Sequence, residues 1–192
     1  MSESAGATDF IQTPFIQTPE QTIGPFFGYS LPYEGGSQLV DRITPGALRL
    51  HGMVFDGAGQ GIPDALVEIW QADDKGAISQ EPGSINRDGY TFTGFGRTPT
   101  DANGSYQFTT VEPAGVDGGL PFFAVVVFAR GLMHKLHTRI YVPEAADDGT
   151  DSLLSAVAPE RRSSLIAIRE ADGSLRHDIH LQGENETVFL AY

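Results

Sequence analysis

From Leu48 onward the chain alternates apolar and polar residues along short stretches. In LRLHGMVFD, Leu48, Leu50, Gly52 and Val54 form one series, and Arg49, His51, Met53 and Phe55 the other. That alternation marks a strand burying one face. DGAGQG then turns the chain, and ALVEIWQAD reads as a second strand, with Ala65, Val67 and Ile69 facing away from Leu66, Glu68 and Trp70. The turn DANG at Asp101 to Gly104 introduces a third strand, SYQFTTVEP. FFAVVVFAR, from Phe122, is almost wholly apolar and predicts a strand buried on both faces. LHTRIYV follows the turn around Gly131 closely enough to pair with it.

Residues Ser152 to Ser164 carry a helical pattern, with Leu153, Leu154 and Val157 on one side and Pro159 near the start of a last turn. LIAIRE, RHDIHLQ and ETVFLAY give three more short strands, separated by ADGS and GEN. About eight short strands joined by Gly and Asn turns predict a mainly β fold. It is read as a β-sandwich of short mixed or antiparallel strands, with an N-terminal arm and one short helix near 152–164.

The arm is residues 1–46, which lack a regular apolar period and are rich in Pro, Gly, Ser and Thr. FIQTP occurs at Phe10 to Pro14 and again at Phe15 to Pro19, too short a repeat to make a solenoid unit. Residues 1–14 are expected to be disordered. From Thr18, TPEQTIGPFFGYSLPY mixes aromatics with rigid Pro and Gly, as a segment lying on something would. The sandwich domain is residues 47–192.

Composition narrows the chemistry. The 192 residues form one ordinary domain, in which roughly 70% of the chain's surface can be buried. A core of that size needs no covalent staple. The absence of Cys removes disulfides, Cys-ligated zinc, iron–sulfur clusters and thiol catalysis. With 12 Lys and Arg against 25 Asp and Glu, the net charge is −13, which repels phosphate backbones and anionic lipid headgroups. No nucleic acid and no membrane partner is expected. The N-terminus has no basic stretch followed by an apolar one, and no apolar run approaches the length of a membrane span. The expected location is cytoplasmic. An anionic substrate would need local positive charge, so the few arginines are the residues to watch.

Five histidines, His51, His134, His137, His177 and His180, are the first place to seek a metal. His134 and His137 are three apart, as are His177 and His180, and on a strand that spacing points to opposite faces. Solvated or hydrogen-bonded histidines are therefore expected, and no metal site. There is no GxSxG and no GxGxxG, and paired acids such as Asp73-Asp74 and Asp147-Asp148 fall in loops. Arg130 differs from the other cations: it ends the apolar run FFAVVVFA and is followed by Gly131. Two readings stand open for it, a structural Arg snorkelling from the core edge and a contact for an anion.

Several segments together resemble the intradiol ring-cleavage dioxygenase family. They are TPEQTIGPFF at Thr18 to Phe27, HGMVFDGAGQGIPDALVEIWQAD at His51 to Asp73, FTGFGRTPTDANGSYQF at Phe92 to Phe108, FARGLMHKLHTRIYV, and HDIHLQGENETVF. VEIWQAD and GRTPTDANG indicate the wider family. FARG, LHTRIYV and LQGENETVF are similar to the alpha chains of the protocatechuate 3,4-dioxygenases.

The family's iron-bearing chain holds ferric ion with two tyrosines and a His-x-His pair. Here DDKGAIS follows the WQA strand, and no Tyr lies between Tyr33 and Tyr90. The second tyrosine's place is taken by Val116, and no Tyr lies between Tyr106 and Tyr141. Phe122 and Ala124 stand in the His-x-His register, and no two histidines are two apart. All four positions read as apolar, so this chain should hold no iron and carry no catalytic residue by itself.

The resemblance implies Fe(III) held by a partner beta subunit, in a hetero-oligomer of alpha–beta units. It further implies that this chain lends Thr22, Gly24, Pro25 and Arg130 to the substrate pocket. Thr22 would offer a hydroxyl, Gly24-Pro25 rigid backbone near the aromatic ring, and Arg130 a complement to the substrate carboxylate. The implied reaction is O₂-dependent intradiol cleavage of protocatechuate to 3-carboxy-cis,cis-muconate. The alternative is a non-catalytic β-sandwich binding module derived from the same family.

Overall fold

The alternation of β1 (Ala47–Phe55) is reproduced in its burial: Leu50, Gly52 and Val54 are buried, whereas Arg49, His51, Met53 and Phe55 are more accessible. The structure is a computed structural model, and the residues described are 22–24, 26–81, 85, 87–148 and 151–191. The expected disorder of residues 1–14 and the FIQTP repeat lie outside them.

Two sheets form the sandwich. In the first, β1 pairs antiparallel with β4 (Ser105–Val111) and parallel with β8 (Leu175–Arg176) and β9 (Ile179–His180), and β7 (Ile168–Arg169) closes the far edge on β8. The second sheet is antiparallel throughout, in the order β3 (Phe95–Pro99), β2 (Leu66–Trp70), β5 (Phe122–Phe128), β6 (Leu136–Tyr141). Its two central strands, LVEIW and FFAVVVF, are rich in β-branched and aromatic side chains that suit a pleated, crowded surface.

Between the sheets lies one apolar cluster. Leu50 and Val54 of β1, Phe108 of β4 and Leu175 of β8 meet Val67, Ile69, Phe123, Val125, Val127 and Ile140 of the opposite sheet. Each such fully buried side chain stabilises the fold by about 1.5–3 kcal/mol. A second, smaller cluster covers one end of the second sheet, where Leu120, Tyr141, Leu154 and Leu165 are buried with Phe122 packed against them.

Several elements differ from the sequence reading. The helical stretch near 152–164 is divided: α2 (Ser152–Ala156), capped by the Asp151 carboxylate on the N–H groups of Leu153 and Leu154, ends at extended Val157, and a 3₁₀ segment, Pro159–Leu165, follows. Pro159 lacks the N–H that a continuous helix would use. A four-residue helix, α1 (Phe27–Ser30), lies in the N-terminal segment. β3 is an additional strand. β8 begins at Leu175, one residue before RHDIHLQ, and β9 lies within it, whereas among the described residues ETVFLAY makes a single bridge, Leu190 to His137. β5 is less enclosed than expected: Phe123, Val125, Val126 and Val127 are buried, but Phe122, Ala124 and Phe128 on its outer face are only partly so.

The N-terminal segment crosses that outer face. Arg97 of β3 donates from Nη1 to the Leu31 carbonyl at 2.8 Å, Phe27 packs on Phe128 with ring centroids 6.0 Å apart, and Gln38 bridges to Thr109 of β4. No helix among the described residues is long and apolar enough to cross a membrane.

Candidate functional site

The turn between β5 and β6 carries Arg130 and is bonded to the N-terminal segment. Ala129 is fully buried, and Leu132 closes the turn by donating to the Ala129 carbonyl at 3.3 Å. Arg130 lies within this turn and projects outward, its side chain 67% exposed. The N-terminal segment is tied to the same turn, because Ile23 donates its N–H to the Leu132 carbonyl at 2.9 Å.

On either side of that bond stand Thr22 and Gly24. The Gly24 N–H donates to Thr22 Oγ1 at 3.0 Å, and Gly24 has φ +72°, a conformation that favours glycine. The Thr22 hydroxyl hydrogen stays available to a further acceptor. Thr22 and Gly24 thus flank a backbone bond to the turn that carries Arg130; Pro25 lies outside the described residues. Cavities of about 680 Å³ and 440 Å³, over β1 and β4, include none of the three.

Arg130 is not a free cation. Its Nε donates to Asp64 Oδ2 at 2.6 Å, and Nη2 donates to the same oxygen. Asp64 escaped sequence reasoning, since a lone acid in IPDA carries no signal of a partner 66 residues away. The rest of the turn is basic as well, with His134 and Lys135 and no acid between residues 130 and 135. Burial holds the His137 imidazole below its ordinary value, and the nearby Lys135 adds to this while Glu68 opposes it.

A second pair of cations anchors the segment that presents Thr22 and Gly24. The Tyr33 ring meets both Arg87 and Arg97, whose guanidinium carbons are 5.7 and 5.8 Å from its centroid. Arg87 also donates to the Tyr33 hydroxyl at 3.0 Å and to Thr93 Oγ1 at 2.8 Å. Arg97 is held in turn by Glu68, with Nε to Oε1 at 2.7 Å and both side chains mostly buried.

The iron-ligand positions do not fit a metal. Phe122 stacks under Arg139, 4.0 Å from its guanidinium carbon, and against Tyr141, while Ala124 faces Arg139 across the strand pair. Arg139 donates to the Tyr141 hydroxyl at 3.1 Å, and that hydroxyl donates to Asp151 at 2.9 Å. An arginine thus stands over the positions that the resemblance puts in register with the iron-bearing chain's histidines. One expectation is corrected: the first tyrosine's place is polar, a turn in which Asp73 Oδ1 accepts from the N–H groups of Lys75 and Ala77 at 2.9 and 2.8 Å. Asp and Gly close turns in this way, so apolar residues were not required.

The histidines are engaged elsewhere. His51 meets Glu170 at 3.0 Å, His180 stacks on Phe55 with centroids 4.9 Å apart, and His177 reaches the Ser164 carbonyl at 3.0 Å. Among the described residues, no three His, Cys, Asp or Glu side chains are grouped to hold a metal ion.

Comparison with known proteins gives this arrangement a context. The sequence model of the family described as "Dioxygenase" matches residues 24–120. The protocatechuate 3,4-dioxygenase alpha chain of Burkholderia cepacia is 36% identical, over 93% of this chain and 98% of that one. The alpha chain of the same name from Pseudomonas putida is 35% identical, over 92% and 96%. Among solved structures, the dioxygenase domain of a dioxygenase carbohydrate-binding protein fusion from Streptomyces sp. SirexAA-E superposes with a TM-score of 0.57 at 29% identity, covering 85% of this chain and 95% of that one.

Proposed function

Because this chain belongs to the dioxygenase family, in its branch of protocatechuate 3,4-dioxygenase alpha chains, we propose that it completes the substrate pocket of an iron-bearing beta chain. The complex cleaves protocatechuate between its two hydroxyl-bearing carbons with O₂ and releases 3-carboxy-cis,cis-muconate. Fe(III) and its ligands belong to the beta chain, and the assembly is a hetero-oligomer of alpha–beta units. This chain contributes shape, exclusion of water and local positive charge.

The observation that carries this reading is the Ile23–Leu132 hydrogen bond at 2.9 Å. It joins the segment bearing Thr22 and Gly24 to the turn bearing Arg130, residues more than a hundred positions apart that the resemblance assigns to one pocket. Arg130 on that turn is exposed, as a group that meets a ligand held by another chain would be. Thr22 offers a hydroxyl, Gly24 offers backbone with no side chain in the way, and Arg130 offers a fork of donors to a carboxylate. A binding module that kept only the sandwich would leave the near full-length similarity to alpha chains without a cause.

Co-expression with a beta chain tests the proposal. Purified alone, this chain should carry no ferric-tyrosinate absorption and no ring-cleaving activity; purified with the beta chain, the complex should carry both. Arg130→Ala should weaken protocatechuate binding in that complex at unchanged iron content. Stoichiometric iron in the isolated chain would overturn the reading.

A further inference from the structure

We infer that Asp64 is a positioning residue for Arg130, setting which edge of the guanidinium faces the substrate carboxylate; this rests on the pocket reading above. A guanidinium has two edges able to meet a carboxylate, one formed by Nε and one Nη, the other by the two Nη groups. Asp64 Oδ2 takes the first, accepting from both Nε and Nη2. The second edge, with Nη1, makes no hydrogen bond among the described residues and lies on a side chain 67% exposed.

The two partners differ in how firmly the backbone holds them. Arg130 projects from a short turn, where an unpaired long side chain would sample many rotamers. Asp64 follows Pro63, whose ring fixes φ, and its neighbours are bound on both sides. Ile62 donates to the Val54 carbonyl at 2.9 Å, the Ile62 carbonyl accepts from Thr100 Oγ1 at 2.6 Å, and the Ala65 carbonyl accepts from the Thr100 N–H at 2.8 Å. Asp64 is itself only 29% exposed. The fixed acid therefore selects a rotamer of the loosely held base. Two effects of removing Asp64 oppose each other: the surface around Arg130 gains net positive charge, and Arg130 loses its fixed direction. The added charge acts across an exposed surface, where water and salt screen it, so loss of direction dominates.

The test uses the alpha–beta complex and four variants of this chain: Asp64→Ala, Asp64→Asn, Arg130→Ala, and the Asp64→Ala/Arg130→Ala double. Steady-state constants for protocatechuate are read beside inhibition constants for 4-hydroxybenzoate, which has a carboxylate, and phenol, which lacks one. Asp64→Ala should raise KM for protocatechuate and the 4-hydroxybenzoate constant about fivefold, leaving kcat, iron content and the phenol constant unchanged. Asp64→Asn keeps an oxygen for Nε and should recover most of the loss. Added to Arg130→Ala, the change at Asp64 should do nothing further. An unchanged or lowered KM in Asp64→Ala overturns the proposal, as does an equal change for phenol and 4-hydroxybenzoate. If Arg130→Ala itself changes nothing, Arg130 leaves the pocket and the pocket reading falls with it, an outcome distinct from silence at Asp64 alone.

Discussion

Ile23 donates its backbone N–H to the carbonyl of Leu132 at 2.9 Å, and this bond couples the N-terminal segment to the turn that carries Arg130. The next residue, Gly24, holds φ +72° and donates its own N–H to Thr22 Oγ1. A Cβ built at Gly24 meets nothing within 4 Å, so Gly24→Ala isolates the backbone cost, about 1 kcal/mol for an L residue held there. That cost falls on a local contact and not on the core. The melting temperature of the complex should stay constant, the Ile23 amide should exchange faster with solvent, and KM for protocatechuate should rise. Unchanged exchange at Ile23 would show that the bond does not depend on the glycine.

Tyr33 tests how the same segment is held further along. Its ring meets two guanidinium groups, and its hydroxyl accepts from Arg87. Tyr33→Phe keeps the ring contacts and removes one hydrogen-bond acceptor, a loss of about 1 kcal/mol. Tyr33→Ala removes both ring contacts, for about 3 kcal/mol. Chemical denaturation should rank wild type above Phe above Ala, with limited proteolysis cutting first near residue 33 in the Ala variant. Equal stability of the Phe and Ala forms would remove the cation–ring contacts as the cause.

Glu68 and Arg97 lie opposite each other on β2 and β3, both largely buried, and Arg97 also donates to the Leu31 carbonyl. Removing one partner of a buried pair leaves an uncompensated charge and costs about 3–5 kcal/mol. Glu68→Ala should therefore lower the melting temperature by about 10 °C. It should also lower the His137 pKa further, since Glu68 is the charge that opposes the effects of burial and Lys135 there. An NMR titration of His137 and a thermal melt on one sample check both expectations.

The strands legible in the sequence were those whose inward faces carry large side chains, such as Leu50 and Val54 in β1 or Phe123, Val125 and Val127 in β5. β3 was missed because its residue on the core side is Gly96. A Cβ there would stand 2.5 Å from Leu39 and 3.0 Å from Phe108, so the core excludes the apolar signal that would have announced the strand. ETVFLAY misled for a different reason. Its apolar residues are real, but Val188 gives its carbonyl to the Thr138 hydroxyl and its N–H to Ser164 Oγ, so side chains take the bonds of a ladder. Of the proposed pocket, Arg130 was legible from its place at the end of an apolar run, and Thr22 and Gly24 only through the resemblance. Asp64 and Tyr33 were not, because each acquires its partner through the fold.

His177 makes the fold's stability depend on pH in a predictable direction. Its ring is buried, Nε2 is bound to the Ser164 carbonyl, and Nδ1 has no hydrogen-bond partner among the described residues. Burial pushes its pKa down from 6.5 to about 4. Between those values the unfolded chain binds a proton that the folded chain refuses, so stability falls as pH drops below 6.5 and this contribution levels off below about 4. The full effect is on the order of 3 kcal/mol, or about 10 °C in melting temperature for a domain of this size. Carboxylates such as Glu170, held low mainly by the Ser174 hydroxyl, add a loss in the same direction at the acid end. His177→Gln cannot charge and should remove the part of the slope nearest neutrality while lowering the plateau. Melts of both proteins from neutral pH to about 4 separate the two contributions, and a His177 ring that titrates at its ordinary value in the folded protein would rule this account out.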